Sequence, residues 1–267
     1  MKYAFTTFSC PDAGLDEVLR MARRYGYAGI EVRCGREQRH GIELSLAPEE
    51  RSSVKHAIEA NGIELVCIGV SCDFSNAETV RNHISETTAY LELARDLGVP
   101  YVRVFCGIIP LESSRAEARE RIVGALKSLA PAAEEAGVII AVETHDDWSD
   151  PQEMSAIMSA VDHPAVGVVW DVMHTLRTGR ASMEEAYRAL KPWLRHVHIH
   201  DGLLDESRLT FLPIGSGEID HRAVVRILAD QQYEGFLSGE WLDWEPADIH
   251  LPREIGAMRA YESERRN

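Results

Sequence analysis

Residues 196–202 read HVHIHDG, three histidines at every second position followed by an acid. In an extended strand successive side chains point to opposite faces, so His196, His198 and His200 share one face and Val197 and Ile199 the other. Such a row can ligate a metal, or form a neutral ladder on a half-buried strand, and residues elsewhere decide. The candidates are carboxylates. VETHDDW carries Glu143 and then His145, VVWDVMH carries Asp171 and then His174, and LSGEW carries Glu240. Three carboxylates gathered in a cleft cost several kcal/mol unless a cation or protons compensate. No lysine lies near these segments, so a divalent cation is the natural counter-ion. Three carboxylates with one imidazole suit Mn, Mg or Co better than a sulfur-rich zinc site, with Zn also admissible.

The elements that must position these groups recur with a steady beat. Short apolar runs occur at 3–8, 28–34, 63–70, 101–107, 138–144, 165–171, 196–201 and 235–240, and helix-periodic stretches such as LDEVLRMARRYG lie between them. Gly26, Gly62, Gly98 and Gly137 stand where helices should stop. Eight strands alternating with eight helices over 267 residues predict a (β/α)8 TIM barrel, one domain spanning 1–267 with no linker. A doubly wound open sheet would want a Gly-rich phosphate loop after the first strand, and TTFSCPDAGL has none. In a barrel the chemistry gathers at the C-terminal strand ends. Strands five to eight then bring Glu143, Asp171, a histidine and Glu240 to one rim. His196 lies too deep for that rim, which leaves His198 or His200 as the imidazole ligand.

The formal charge of −15, from 43 acids against 28 bases, offers no basic stripe for phosphates and excludes nucleic acid as an expected partner. No run approaches ~18 uninterrupted apolar residues, so no membrane span is expected. MKYAFTTFSCPDAG lacks the apolar core of a signal peptide. Five cysteines without CxxC spacing suit reduced packing residues in a cytoplasmic protein. Trp148, Trp170, Trp241 and Trp244 flank the carboxylate segments, and Trp148 is a candidate platform for the C–H face of a sugar. Arg33, Arg36 and Arg103 could each meet a carboxylate or phosphate. The GSGEID loop, 215–220, reads as a turn before a helix capped by Asp220, with a lid role or an ordinary connection both open.

From about residue 138 to 241 the chain resembles the sugar isomerase and epimerase family with the xylose isomerase-like barrel, which includes apurinic endonucleases and ketose 3-epimerases. The resemblance rests on Glu143 in VETHDDW, Asp171 and His174 in WDVMH, HVHIHD, the PIGSGEID loop and YEGFLSGEW. It implies one divalent metal held by Glu143, Asp171, His198 and Glu240. It further implies that Glu143 and Glu240 act as acid and base, with a metal-held cis-enediolate between them. His174 would bind substrate hydroxyls, and Arg208 falls where epimerases can place a substrate-binding arginine. The endonuclease branch would need further ligand histidines after strands two to four, where EVRCGRE, IGVSCDF and RVFCGIIP have none.

The expected activity is a metal-dependent isomerase or epimerase acting on a sugar or polyol ketone by proton abstraction beside a carbonyl. A lyase expelling a β-leaving group from a keto-sugar or cyclic keto acid is the alternative, and His145 would serve there as a further acid or base. A non-catalytic sugar-binding barrel is the third reading, opposed by the presence of both Glu143 and Glu240. Relatives commonly pair through barrel faces, so the resemblance leaves a homo-oligomer open.

Overall fold

Eight parallel strands close on themselves in a computed structural model of the chain, which describes residues 1–36 and 38–266. Glu37 and Asn267, both inside the expected 1–267 domain, lie outside the described residues. The strands are β1 Lys2–Thr6, β2 Gly29–Arg33, β3 Glu64–Gly69, β4 Tyr101–Val104, β5 Ile139–Glu143, β6 Val166–Asp171, β7 Leu194–Ile199 and β8 Phe236–Gly239. Each matches an apolar run of the sequence. Closure comes from β8 pairing with β1, Lys2 opposite Phe236 through Phe5 opposite Gly239.

Helices α1 Leu15–Tyr25, α2 Pro48–Ala60, α3 Val80–Leu97, α4 Arg115–Ala136, α5 Pro151–Val161, α6 Val172–Arg177, α7 Met183–Leu190, α8 His221–Asp230 and α9 Ala247–Arg266 follow the strands. Gly26, Gly98 and Gly137 end α1, α3 and α4 in the left-handed conformation that glycine takes at little cost. The stop expected at Gly62 comes one residue earlier, at Asn61. The described residues form nine helices where eight were expected, because the segment after β6 divides. Asp171 caps α6 straight from the strand end, and Ser182 with Glu185 opens α7 as a capping box.

After β7 the chain makes an unexpected antiparallel ribbon, Asp201–Gly202 against Phe211–Leu212. Asp201 is its hub. Its carboxylate accepts the N–H groups of Gly202 and Gly215 at 2.8 Å, Ile219 at 3.1 Å and Gly217 at 3.2 Å. These bonds pin the GSGEID loop, which is a fastened connection in this structure. Asp220 caps α8 as expected, accepting from the Ala223 N–H at 3.0 Å. The five cysteines are free and buried. Among the described residues no helix is long and apolar enough to cross a membrane.

Candidate metal centre

Strand register brings the ligand candidates together. Asp171, the last residue of β6, lies directly opposite His198 on β7. Glu143 is the last residue of β5, and Glu240 follows β8, its N–H donating to the Ile199 carbonyl at 3.2 Å. Glu143, Asp171, His198 and Glu240 each offer one ligand atom, and these atoms all lie within 4.8 Å of one another. Three of the four are fully buried; the Glu240 side chain keeps 13% of its surface in solvent.

The histidine row divides its work. His198 Nε2 meets Glu31 Oε2 at 3.1 Å, and His196 Nε2 meets the same oxygen at 3.0 Å. Glu31 stands in the middle of β2 and is 1% exposed. An ionised carboxylate only accepts, so both imidazoles donate through Nε2. His198 Nδ1 therefore faces Glu240 Oε2 at 3.2 Å and Glu143 Oε1 at 3.5 Å, and it is the nitrogen a cation would take in place of a proton. His200 instead meets Asp171 Oδ2 at 2.7 Å, and the other Asp171 oxygen accepts the His174 N–H at 2.8 Å. Asp171 is thus a helix cap and a member of the cluster at once.

The electrostatics follow from these pairs. Burial pushes the Glu31 carboxyl up, yet His198 and His196 hold it well below the usual carboxylate range. Burial pulls His198 down, yet Glu31, Glu240 and Glu143 hold it well above the ordinary imidazole value. Burial likewise raises Asp171 and Glu240, and facing imidazoles overcome it in both, aided at Glu240 by Arg103.

Arg103 on β4, a residue the sequence offers as able to meet a carboxylate, supplies a cation here. Its Nε lies 3.1 Å from Glu143 Oε2 and its Nη2 3.6 Å from Glu240 Oε1, so it bridges the two glutamates. Its charge also reaches Glu31, so one guanidinium serves three carboxylates. Both Glu143 oxygens and His198 Nδ1 are buried and lack an aligned hydrogen bond. Unpaired buried acceptors of this kind call for an ion or water, and the oxygen-rich donor set fits a divalent cation.

The remaining candidates separate. His145 and His174 are brought to the cluster, their rings in edge contact at 4.3 Å, with His200 5.7 Å beyond His174. Burial pulls His145 down, but Asp146 at 2.8 Å and the charge of Glu143 outweigh it and hold the imidazole up at about 9. Burial lowers His174 to about 3 despite Asp171, so it is neutral at pH 7. Arg208 is not brought in; it is exposed on the ribbon's loop. Trp148 offers no free face to a sugar, being fully buried with its N–H donated to Ser75 Oγ at 3.1 Å and the Arg115 guanidinium 5.3 Å above its ring. Half-buried Phe211 and Trp244 form the aromatic wall instead, with Phe211 5.3 Å from His200 and 6.1 Å from Trp244. Glu31 was missed by sequence reasoning; its signal was an acid inside the otherwise apolar GIEV stretch.

Comparison with known proteins follows the same lines. Among solved structures, L-ribulose 3-epimerase superposes with a TM-score of 0.82 at 18% identity, covering 100% of this chain and 96% of its own. The probable 3-DHS dehydratase AsbF of Bacillus anthracis gives 0.81 at 18%, covering 97% and 99%. The 3-keto-D-glucoside 4-epimerase YcjR of E. coli gives 0.80 at 18%, covering 97% and 99%. At these identities the likeness is one of fold. No curated protein matches the chain in sequence. The family profile described as xylose isomerase-like TIM barrel matches residues 19–260, and the chain belongs to that family.

Proposed function

We propose that the chain is a divalent-metal-dependent isomerase or epimerase acting on a small sugar or polyol ketone. The reading is carried by the convergence of Glu143, Asp171, His198 and Glu240 around unpaired buried acceptors. A cation bound there would polarise a substrate carbonyl and lower the cost of removing the neighbouring carbon-bound proton. Glu143 and Glu240 come from strands that flank those of Asp171 and His198, so one carboxylate oxygen can take the proton and the other glutamate can return one. Arg103 touches both glutamates, and at Glu240 it aids His198 in holding the carboxyl ionised against burial, which keeps a base available. Five unpaired buried cysteines support a reducing, cytoplasmic setting.

A second reading, a lyase, is favoured by His145. Its imidazole is held protonated near neutral pH and is partly open to solvent, which suits a general acid for a departing hydroxyl or alkoxide. The test is carbon-bound proton exchange in deuterated water, followed by NMR with the metal-free protein and with Mn, Mg or Co added, over ketoses, aldoses and keto-glycosides. Metal-dependent exchange beside a carbonyl is expected. An epimer as product favours the first reading and a released fragment or water the second; metal binding without exchange on any substrate would overturn both.

A further inference from the structure

Two arginines are buried in the barrel mouth, and they are not alike. Arg103 is matched by Glu143 and Glu240, whereas Arg33, 2% exposed, has no carboxylate within ion-pairing distance among the described residues. Arg33 is the last residue of β2, two positions beyond Glu31, so it shares the inward face of Glu31 one step nearer the rim. Register places Arg33 beside Gly69 and Gly69 beside Arg103, so the two guanidinium-bearing positions share one level of the barrel. Its Nη1 donates to the carbonyls of Cys34 and Gly69, and its Nη2 to Ser71 Oγ; the face of Phe8 lies 5.7 Å away. These partners fix the guanidinium through neutral acceptors, and the charge of Glu240 reaches it only from beyond ion-pairing distance. Burial, together with the charges of Arg103 and Arg36, lowers its proton affinity to about 10, an effect that Glu240 offsets only in part, and it stays cationic at pH 7. A buried, immobilised guanidinium without a paired counter-ion costs several kcal/mol, and a carboxylate or phosphate that can take two of its N–H groups is what it binds best.

We propose that Arg33 is an anion subsite, and that the substrate is a keto-sugar or related ketone bearing an oxyanion, a carboxylate or a phosphate, rather than a neutral ketose. The inference rests on the metal-site reading above, because that site would hold the carbonyl end while Arg33 takes the charged end. Ser71, which accepts from Nη2, is exposed, so an incoming ligand would reach the guanidinium by displacing that hydroxyl. A carboxylate donor and a phosphate donor share this recognition and differ in size and charge, which separates them experimentally.

The probes are D-fructose, D-fructuronate and D-fructose 6-phosphate. Each is titrated calorimetrically into the Mn-loaded full-length protein and assayed for carbon-bound proton exchange. At least one anionic probe should bind tenfold or more tightly than fructose, and which one does so identifies the oxyanion. In Arg33→Gln that preference should vanish while Mn affinity is unchanged, the latter showing that the barrel is intact; Arg33→Lys should keep part of it. Equal binding of fructose and both anions by the unaltered protein, or an anion preference that survives in Arg33→Gln, overturns the subsite. Arg33-dependent binding without proton exchange leaves the subsite standing and removes the isomerase reading, whereas exchange confined to fructose does the reverse.

Discussion

Glu31 on β2 and His198 on β7 meet 3.1 Å apart beneath the carboxylate cluster, 167 residues apart in sequence. The contact fixes which histidine nitrogen faces the site. His196 shares the acid from one step deeper, so Glu31 organises two of the three histidines of HVHIHDG.

Replacing Glu31 with Gln should weaken Mn binding by roughly 10- to 100-fold, because the uncharged amide is a weaker acceptor for the two imidazoles and no longer fixes the tautomer of His198. Calorimetric titration of the metal-free protein measures this directly. Unchanged affinity would mean that His198 Nδ1 is not a ligand.

Glu240→Gln should lower carbon-bound proton exchange by about 100-fold or more, the usual scale of a lost general acid or base. The rate is read at saturating Mn, because Glu240 also belongs to the metal cluster and its amide should weaken the cation's binding. Exchange at the unaltered rate would remove Glu240 from proton transfer and leave Glu143 with His145 as the candidate pair.

Asp201→Asn should destabilise the fold by about 2–4 kcal/mol, since several backbone N–H groups lose a charged acceptor and one amide hydrogen points at former donors. Urea unfolding gives the magnitude. Amide exchange at Gly215, Gly217 and Ile219 should accelerate more than elsewhere, and Mn affinity should be nearly unaltered.

His250 sets a pH dependence of stability. It is fully buried against Trp241 and Trp244 with neither ring nitrogen hydrogen-bonded, and burial with the charge of Arg253 lowers it to about 4. Glu245 and Glu254 are already paired with Arg253 and leave the imidazole without a counter-charge. The unfolded chain takes up a proton near pH 6.5 that the folded chain refuses until about pH 4. Stability is therefore whole above about pH 6.5 and falls as the pH drops toward 4, by about 3 kcal/mol in all. His250→Gln should flatten that part of the urea midpoint against pH; an unaltered slope would assign it to other groups.

The barrel was legible because every strand is a short apolar run and most helices end on a glycine or begin on a capping side chain, all local signals. The convergence of Glu143, Asp171 and Glu240 followed from strand order and the parallel sheet, while choosing His198 over His200 required family likeness. What escaped was long-range. Glu31 is one acid in a five-residue strand, and nothing near it announces partners on β7. Arg103 reads as a candidate anion binder, but its role as the bridge between two glutamates depends on barrel closure. Trp148 sits beside the ligands in sequence, and its ring is turned into the core by a bond to Ser75 that no spacing rule reveals.

Glu31, Glu143, Asp171, His196 and His198 all ride on strands held by neighbours on both sides, whereas Arg208, Phe211 and Trp244 belong to the segments that follow β7 and β8. Exchanging the segment after β7 can change the mouth without moving Glu31, Glu143, Asp171, His196 or His198, whereas the segment after β8 carries Glu240 with Trp244 and changes both at once.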